Sequence, residues 1–209
     1  MAQEFEIIGR EPLSSGFLKI NRYRLARTVP GATAGCGGQT VVERECIEGL
    51  RAAAVLPYDP VAGCIVLVEQ MRVGALGAVP GGLVLEPPGG VIEAPQSAAA
   101  TARREAWEEA GCRIGAMTPI GVCRPSPGIS DESVALFCGE VRVAGLPRCG
   151  GNPQEGEWTR VLVWDLERVI SELGREPLTP ATLIIAVQWL ALNRHRVVDL
   201  WAAAADGRG

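Results

Sequence analysis

Histidine is nearly missing from this chain: His195 is the only one among 209 residues. Sites built from several histidines are thereby excluded, and a Ser-His-Asp relay has a single candidate at most. His195 stands between Arg194 and Arg196, just after an apolar segment, and reads as an exposed helix-end residue near the terminal carbonyls. Catalysis therefore falls to carboxylates, hydroxyls or a metal. Paired cysteines are missing as well. The seven cysteines are odd in number and scattered, without the C-x-x-C spacing of a zinc or redox motif. They read as buried thiols in a reducing cytoplasm. Nor is there an excess of positive charge, since 20 basic residues face 24 acidic ones for a net −4. That balance argues against an electrostatic grip on nucleic acid or an anionic membrane. Long apolar runs are also lacking: the strongest, Ala181 to Leu192, is too short for a bilayer and contains Gln188. The first twenty residues lack a charged stretch followed by an unbroken apolar one, so no secretory signal is expected. These absences describe a cytoplasmic protein with no nucleic-acid or membrane partner.

What is present is a chain with 47% hydrophobic residues, enough for one domain and a smaller appendage. Short alternating stretches between Phe5 and about Glu45, such as Leu18-Lys19-Ile20 and Tyr23-Arg24-Leu25, predict β-hairpins broken by the Gly-rich segment Pro30 to Gly38. This region is too small for its own core. Arg51 to Leu56, a turn at Pro57-Tyr58-Asp59-Pro60, and Cys64 to Glu69 read as strand, turn, strand. Further strands are expected at Leu83 to Leu85, Met117 to Cys123, Val134 to Val143 and Val161 to Trp164. Helices are expected from Ser97 to Ala110 before Gly111, from Leu166 to Leu173 before Gly174, and from Pro180 to Asn193 after a Thr179 cap. Without regular β-α-β alternation, this order predicts an α/β fold with a mixed sheet and helices on its faces. The expected division is an N-terminal β-rich region over 1–50, a main domain over 51–201 and a disordered tail over 202–209.

Between Glu86 and Cys112 the chain reads EPPGGVIEAPQSAAATARREAWEEAGC, a Gly/Pro loop entering an alanine-rich helix that ends in charges. Glu105 and Glu109 share one helix face and Glu108 lies on a neighbouring row. Three carboxylates within little more than one turn repel one another, by a few tenths of a kcal/mol per pair, roughly, and more when shielded from water. A hard divalent cation removes the conflict, because Mg²⁺ takes oxygen ligands and shares itself between carboxylates and phosphates. The bland alternative is a solvated face whose acids pair with Arg103 and Arg104.

The wider context resembles the Nudix box, G-x5-E-x7-R-E-U-x-E-E-x-G-U with U apolar. Gly90, Arg104, Glu105, Ala106, Glu108, Glu109, Gly111 and Cys112 fall in register, and Gln96 replaces the first glutamate. The resemblance implies a Nudix-like α/β/α sandwich with an N-terminal β-rich extension. It also implies metal-assisted attack of water on a nucleoside diphosphate linked to another moiety, with Mg²⁺ as cofactor and Mn²⁺ as the alternative. On the matching positions, Glu105 and Glu109 are the implied metal ligands, with the carbonyl of Gly89 beside them. Glu108 and Arg104 complete the catalytic set, Arg104 holding the carboxylates in place. Gln96 keeps an acceptor oxygen but gives up the charge, which predicts weakened support by about 1 kcal/mol and not a dead enzyme. Glu93 is a candidate to compensate.

Four further stretches resemble the ADP-ribose and sugar-nucleotide pyrophosphatase branch. In LPYDPVAGCIVLVEQMRVGAL, Arg72 stands seventeen residues ahead of Gly89, where the branch holds a phosphate-contacting arginine; read alone, it is a surface charge at a strand end. In CRPSPGISDESVALFCGEV, the segment Ser126, Pro127, Gly128 and Glu132 implies a lining for the terminal sugar, although Pro-Gly is also an ordinary turn. In CGGNPQEGEW, Glu155 is the implied base for the attacking water and Glu157 a further metal ligand, while composition alone predicts a solvated loop. The fourth, PLTPATLIIAVQWLALNRH, resembles a closing helix, and with the N-terminal region it implies a homodimer in which residues 1–50 serve dimerisation and substrate binding.

The implied substrate is a small nucleoside diphosphate sugar, ADP-ribose first, with AMP and ribose 5-phosphate as products. A GDP- or UDP-sugar is the alternative, since the residues that read the base are not identifiable. A catalytically weakened, nucleotide-sensing domain is a second alternative that rests on Gln96. A decapping or mutagenic-nucleotide enzyme fits the acidic balance less well. The aromatic that follows the Arg72 strand in relatives is missing around Gly81-Gly82-Leu83.

Overall fold

The computed structural model describes residues 4–28, 40–175, 177 and 179–205, and its chain divides into two compact units. The first comprises residues 1–50 and 126–132. Its described part is an antiparallel sheet of β1 (Glu4–Ser15), β2 (Lys19–Thr28) and β3 (Thr40–Glu48), in the order β1-β2-β3. Phe5, Ile7 and Ile8 remain exposed, and among the described residues of this unit only Asn21, Ala26 and Ser130 are buried. The segment 126–132 is tied to β3 through Ile47, whose N–H donates to the Ile129 carbonyl at 2.9 Å and whose carbonyl accepts from Asp131 N–H at 3.0 Å. The Gly-rich segment Pro30 to Gly38 lies outside the described residues.

The second unit holds an eight-stranded mixed sheet. Its strands are β4 (Arg51–Asp59), β5 (Cys64–Met71), β6 (Leu83–Glu86), β7 (Gly89–Val91), β8 (Met117–Cys123), β9 (Ser133–Glu140), β10 (Cys149–Gly150) and β11 (Thr159–Asp165). The main path runs β10-β11-β5-β4-β9-β8, with β4 and β9 parallel and the other pairs antiparallel. β4 and β5 pair only at Tyr58–Ile65 and Asp59–Cys64 and then part. Into that fork go β6, paired with β5, and β7, paired with the first half of β4.

Strands buried on both faces read as continuous apolar runs, and the period of two sorts their residues. Ala53, Val55, Val66, Val68 and Val161 pack under helix α1 (Ala98–Ala110). Leu56, Ile65 and Leu67 face α2 (Leu166–Glu172) and α3 (Ala181–Ala205), meeting Val169, Leu183, Val187, Leu190 and Trp201. The unit is therefore an α/β/α sandwich. Ser97 caps α1 by accepting from Ala100 N–H at 3.2 Å, and Gly111 ends it in the left-handed conformation, as the sequence predicts.

Five expectations change. The turn expected at Pro57 begins later: β4 runs through Pro57 and Tyr58, and the chain reverses around Gly63, whose N–H donates to Asp59 carbonyl. β5 pairing starts only at Tyr58, so the missing N–H of Pro57 costs no rung on that side. The strand expected to Val143 stops at Glu140. The third helix continues to Ala205, so residues 202–205 are helical where a disordered tail was expected; 206–209 lie outside the described residues. His195 consequently sits within α3 and not at its end, although it is exposed. Of the cysteines, only Cys112 and Cys138 are buried, Cys149 is exposed, and Cys36 lies outside the described residues. Among the described residues no helix is long and apolar enough to cross a membrane.

Candidate active site

Helix α1 buries Thr101, Ala102, Glu105, Ala106, Glu109 and Ala110, a stripe at i, i+3 and i+4 spacing facing the sheet. Two carboxylates therefore occupy positions that an ordinary amphipathic helix fills with apolar groups. Glu109 is 2% exposed and Glu105 7%. Ionised groups so placed need compensation. Glu109 receives part of it from Gly89, whose N–H donates to its Oε2 at 2.8 Å. Burial still pushes the Glu109 carboxyl up to about 8, the Gly89 bond opposing and the charges of Glu105 and Glu157 adding to the rise. Burial likewise raises Glu105, against the pull of Arg104.

Arg104 lies between the acids. Its Nη2 reaches Glu105 Oε1 at 2.8 Å and its Nη1 reaches Glu108 Oε2 at 2.6 Å. Its Nε donates to Gln96 Oε1 at 3.4 Å, an oxygen that also accepts from Thr101 Oγ1 at 3.2 Å. Gln96 thus keeps the acceptor contact expected of it. Glu93 does not compensate: among the described residues its carboxylate makes no hydrogen bond or ion pair, and only its carbonyl is engaged, by Gln96 N–H at 2.7 Å. The two glycines of β7 suit this packing: a Cβ at Gly89 would stand 2.6 Å from the Ala53 carbonyl oxygen, and one at Gly90 would stand 2.2 Å from Glu105 Oε1 and push that carboxylate aside.

The acidic loop is fastened to the far end of the same helix. Gly151 N–H donates to the Glu108 carbonyl at 2.8 Å, and buried Thr159 donates its hydroxyl to the Glu109 carbonyl at 2.6 Å. A Cβ at Gly150 would fall 2.1 Å from that carbonyl oxygen. Two carbonyls that the helix end leaves unpaired are thus capped by the two ends of one loop. The loop closes on itself through Glu157 N–H to the Asn152 carbonyl at 3.0 Å. Glu157 is half-buried, and its charge reaches both Glu105 and Glu109. The backbone of Glu155 ends a short 3-10 turn, Pro153–Glu155; its side chain lies outside the described residues.

Arg72 follows β5, its Nε 2.7 Å from Glu86 Oε2, and its charge reaches Glu109. Arg72, Gly89, Arg104, Glu105, Glu108, Glu109 and Glu157 are thus all in the second unit. Ser126, Pro127, Gly128 and Glu132 belong to the first, where Ser126 carbonyl accepts from Ile129 and Ser130 N–H in a turn through Pro127 and Gly128. Glu86, Gln70 and Thr159 were not singled out from the sequence. Alternation along the strands could have found Glu86, two after Val84, and Gln70, two after Val68; nothing local marks Thr159.

The acids do not already surround one point: among the described residues no three His, Cys, Asp or Glu side chains are spaced to hold an ion. Mg²⁺ does not require that, since it uses one or two carboxylates together with waters and phosphate oxygens. Two buried, partly compensated glutamates beside a glycine backbone fit such an ion by their oxygen chemistry and their unmet charge.

A family model described as the NUDIX domain matches residues 49–178. The chain belongs to the Nudix family. Among its relatives, the ADP-ribose pyrophosphatase of Escherichia coli (strain K12) is 34% identical over 201 residues, covering 95% of this chain and 93% of that protein. The ADP-ribose pyrophosphatase of Haemophilus influenzae is 31% identical over 203 residues, covering 95% and 91%. The GDP-mannose pyrophosphatase of Cronobacter sakazakii is 27% identical over 152 residues, covering 72% and 78%. A crystal structure of an ADP compounds hydrolase superposes with a TM-score of 0.70 over 100% of this chain and 99% of the other, at 17% identity, a likeness of fold.

Proposed function

We propose that this Nudix hydrolase cleaves the pyrophosphate bond of ADP-ribose, giving AMP and ribose 5-phosphate, with Mg²⁺ as cofactor and Mn²⁺ as a substitute. The observation that carries the reading is the pair Glu105 and Glu109, two carboxylates buried on the inner face of α1. The choice of ADP-ribose is supported by relatives of that name matching 95% of the chain.

In this reading Glu105 and Glu109 would hold the cation together with the carbonyl of Gly89, and Glu157 would be a further ligand supplied by its loop. When bound, the cation neutralises charge on the diphosphate oxygens and makes water a better nucleophile. Arg104 and Glu108 keep the carboxylates of α1 in place through the ion pairs described above. Arg72 meets the diphosphate, as a guanidinium fork suits phosphate oxygens. Glu155 accepts the proton of the attacking water, whose oxygen bonds to one phosphorus as the bridging bond breaks. Ser126, Pro127, Gly128 and Glu132 line the terminal ribose. Residues 1–50 form a dimerisation and substrate region, 51–201 the catalytic domain, and two copies assemble in the cytoplasm.

A panel of ADP-ribose, GDP-mannose and UDP-glucose with Mg²⁺ tests the reading. ADP-ribose is expected to give the highest kcat/KM. The GDP-mannose reading, supported by relatives matching about two thirds to three quarters of the chain, prevails if that sugar nucleotide is preferred. Binding of ADP-ribose without turnover at any Mg²⁺ or Mn²⁺ concentration turns the protein into a sensor.

A further inference from the structure

Glu86 has no role in the chemistry above, yet its surroundings are specific. It ends β6 directly opposite Val68 of β5, so its side chain shares the α1 face of the sheet with Val68 and Gln70. One carboxylate oxygen, Oε2, accepts from Arg72 Nε at 2.7 Å and from Gln70 Nε2 at 3.2 Å. Gln70 is itself buried, at 8% exposure, while the Arg72 side chain is half exposed. Among the described residues neither terminal nitrogen of Arg72 has a hydrogen-bond partner. The contact is therefore one-sided: the inner nitrogen is held and the outer fork is left open.

We propose that Glu86 is a positioning residue for substrate, fixing the guanidinium plane of Arg72 through Nε so that both terminal nitrogens are presented to the diphosphate. This rests on the role given to Arg72 under the proposed function. A free arginine samples many rotamers, and an anion that binds it must order them; a guanidinium already held by its inner nitrogen has less to lose. Gln70 keeps the carboxylate from turning away. The arrangement spends no terminal nitrogen on the protein, which separates it from a salt bridge made for stability, where a bidentate contact would use the fork.

The test is a double-mutant cycle with two readouts, KM and kcat for ADP-ribose and the calorimetric Kd for inorganic pyrophosphate in Mg²⁺. Arg72→Ala is expected to raise both KM and Kd on the order of tenfold or more, the scale of a charged hydrogen bond. Glu86→Ala is expected to raise them about fivefold with kcat little changed, a part of the same effect. Glu86→Gln should recover most of the loss, since an amide oxygen still accepts from Nε. Glu86→Asp keeps the charge but not the reach and should resemble Glu86→Ala, which also covers the case of an alanine variant that folds poorly. In the Arg72→Ala background, Glu86→Ala should add nothing. An equal loss with and without Arg72, or a fall in kcat alone, overturns the positioning role. A parent protein inactive on ADP-ribose defeats the substrate reading instead, and the pyrophosphate cycle still decides the role of Glu86.

Discussion

The two faces of the second unit's sheet are covered by helices of opposite make-up. On one side α1 presents Ala102, Ala106 and Ala110 together with Glu105 and Glu109, so little volume separates it from the strands. Small side chains let the carboxylates come up against the glycine backbone of β7, where a Cβ at Gly90 would displace the Glu105 carboxylate. On the other side α3 presents Leu183, Val187, Leu190, Val197 and Trp201, filling the gap with bulk. Trp201 ends that row with its Nε1 donating to Thr118 Oγ1 at 2.9 Å. One face secures the fold by apolar volume while the other spends burial on charge, and each should fail in its own way when altered.

The largest effect is expected from Glu109→Gln. Removing the charge should lower kcat by about a hundred- to a thousandfold, the scale of losing one preorganised electrostatic group. Thermal stability without metal should stay level or rise, because an uncharged amide has no ionic desolvation to overcome. Steady-state kinetics and a melting curve on one preparation check both halves, and parental turnover would remove Glu109 from the metal site. Leu190→Ala sharpens the contrast from the other side: about 2–5 kcal/mol of stability should be lost to the cavity. Chemical denaturation reads this loss, and KM and kcat of the folded fraction should be unchanged.

Acidity offers a subtler separation. The Glu109 carboxyl in the folded, metal-free protein lies at about 8, above its ordinary 4.5. A group raised in the folded state gives stability that is complete below the lower value and is lost as pH rises through the higher. Metal-free protein should therefore weaken between about pH 4.5 and pH 8, by up to about 1.4 kcal/mol per pH unit for one such group. Mg²⁺ favours the ionised form, so the rise in Tm on adding it should be larger at pH 8 than at pH 5.5. An equal rise at both would mean that the ion binds elsewhere. The smallest effect is expected from Gln96→Glu, which turns a neutral contact with Arg104 into a charged one. A gain of about 1 kcal/mol or less in support of the carboxylates should lower the Mg²⁺ concentration for half-maximal activity several-fold.

Where sequence and structure agree, the signals are local. Ser97 and Gly111 mark the ends of α1 because each satisfies backbone groups a few residues away, and the spacing of Glu105, Glu108 and Glu109 declares a shared surface within one turn. The end of α3 lies beyond the expected one because Asn193, Arg194, His195 and Arg196 resemble a polar exit that the helix passes through. Val197 and Trp201, four apart, carry the buried row past them, and no glycine or proline intervenes before Ala205. Pro57 looked like a turn because its missing N–H matters only where a neighbouring strand needs it. The three-residue β7 and two-residue β10 are too short to show any period. At the site, Thr159 owes its place to strand pairing and to a loop reaching a helix fifty residues earlier in the chain, which no short window contains.

The fastening of the acidic loop has a bearing on how this protein can change. Its anchors, Gly151 and Thr159, grip carbonyl oxygens that every amino acid carries, so the hold does not depend on the side chains of α1. The stretch between those anchors can change in length or in its remaining residues, provided that the carboxylates of Glu155 and Glu157 still reach the site. New chemistry can therefore be auditioned there while the helix beneath keeps its register.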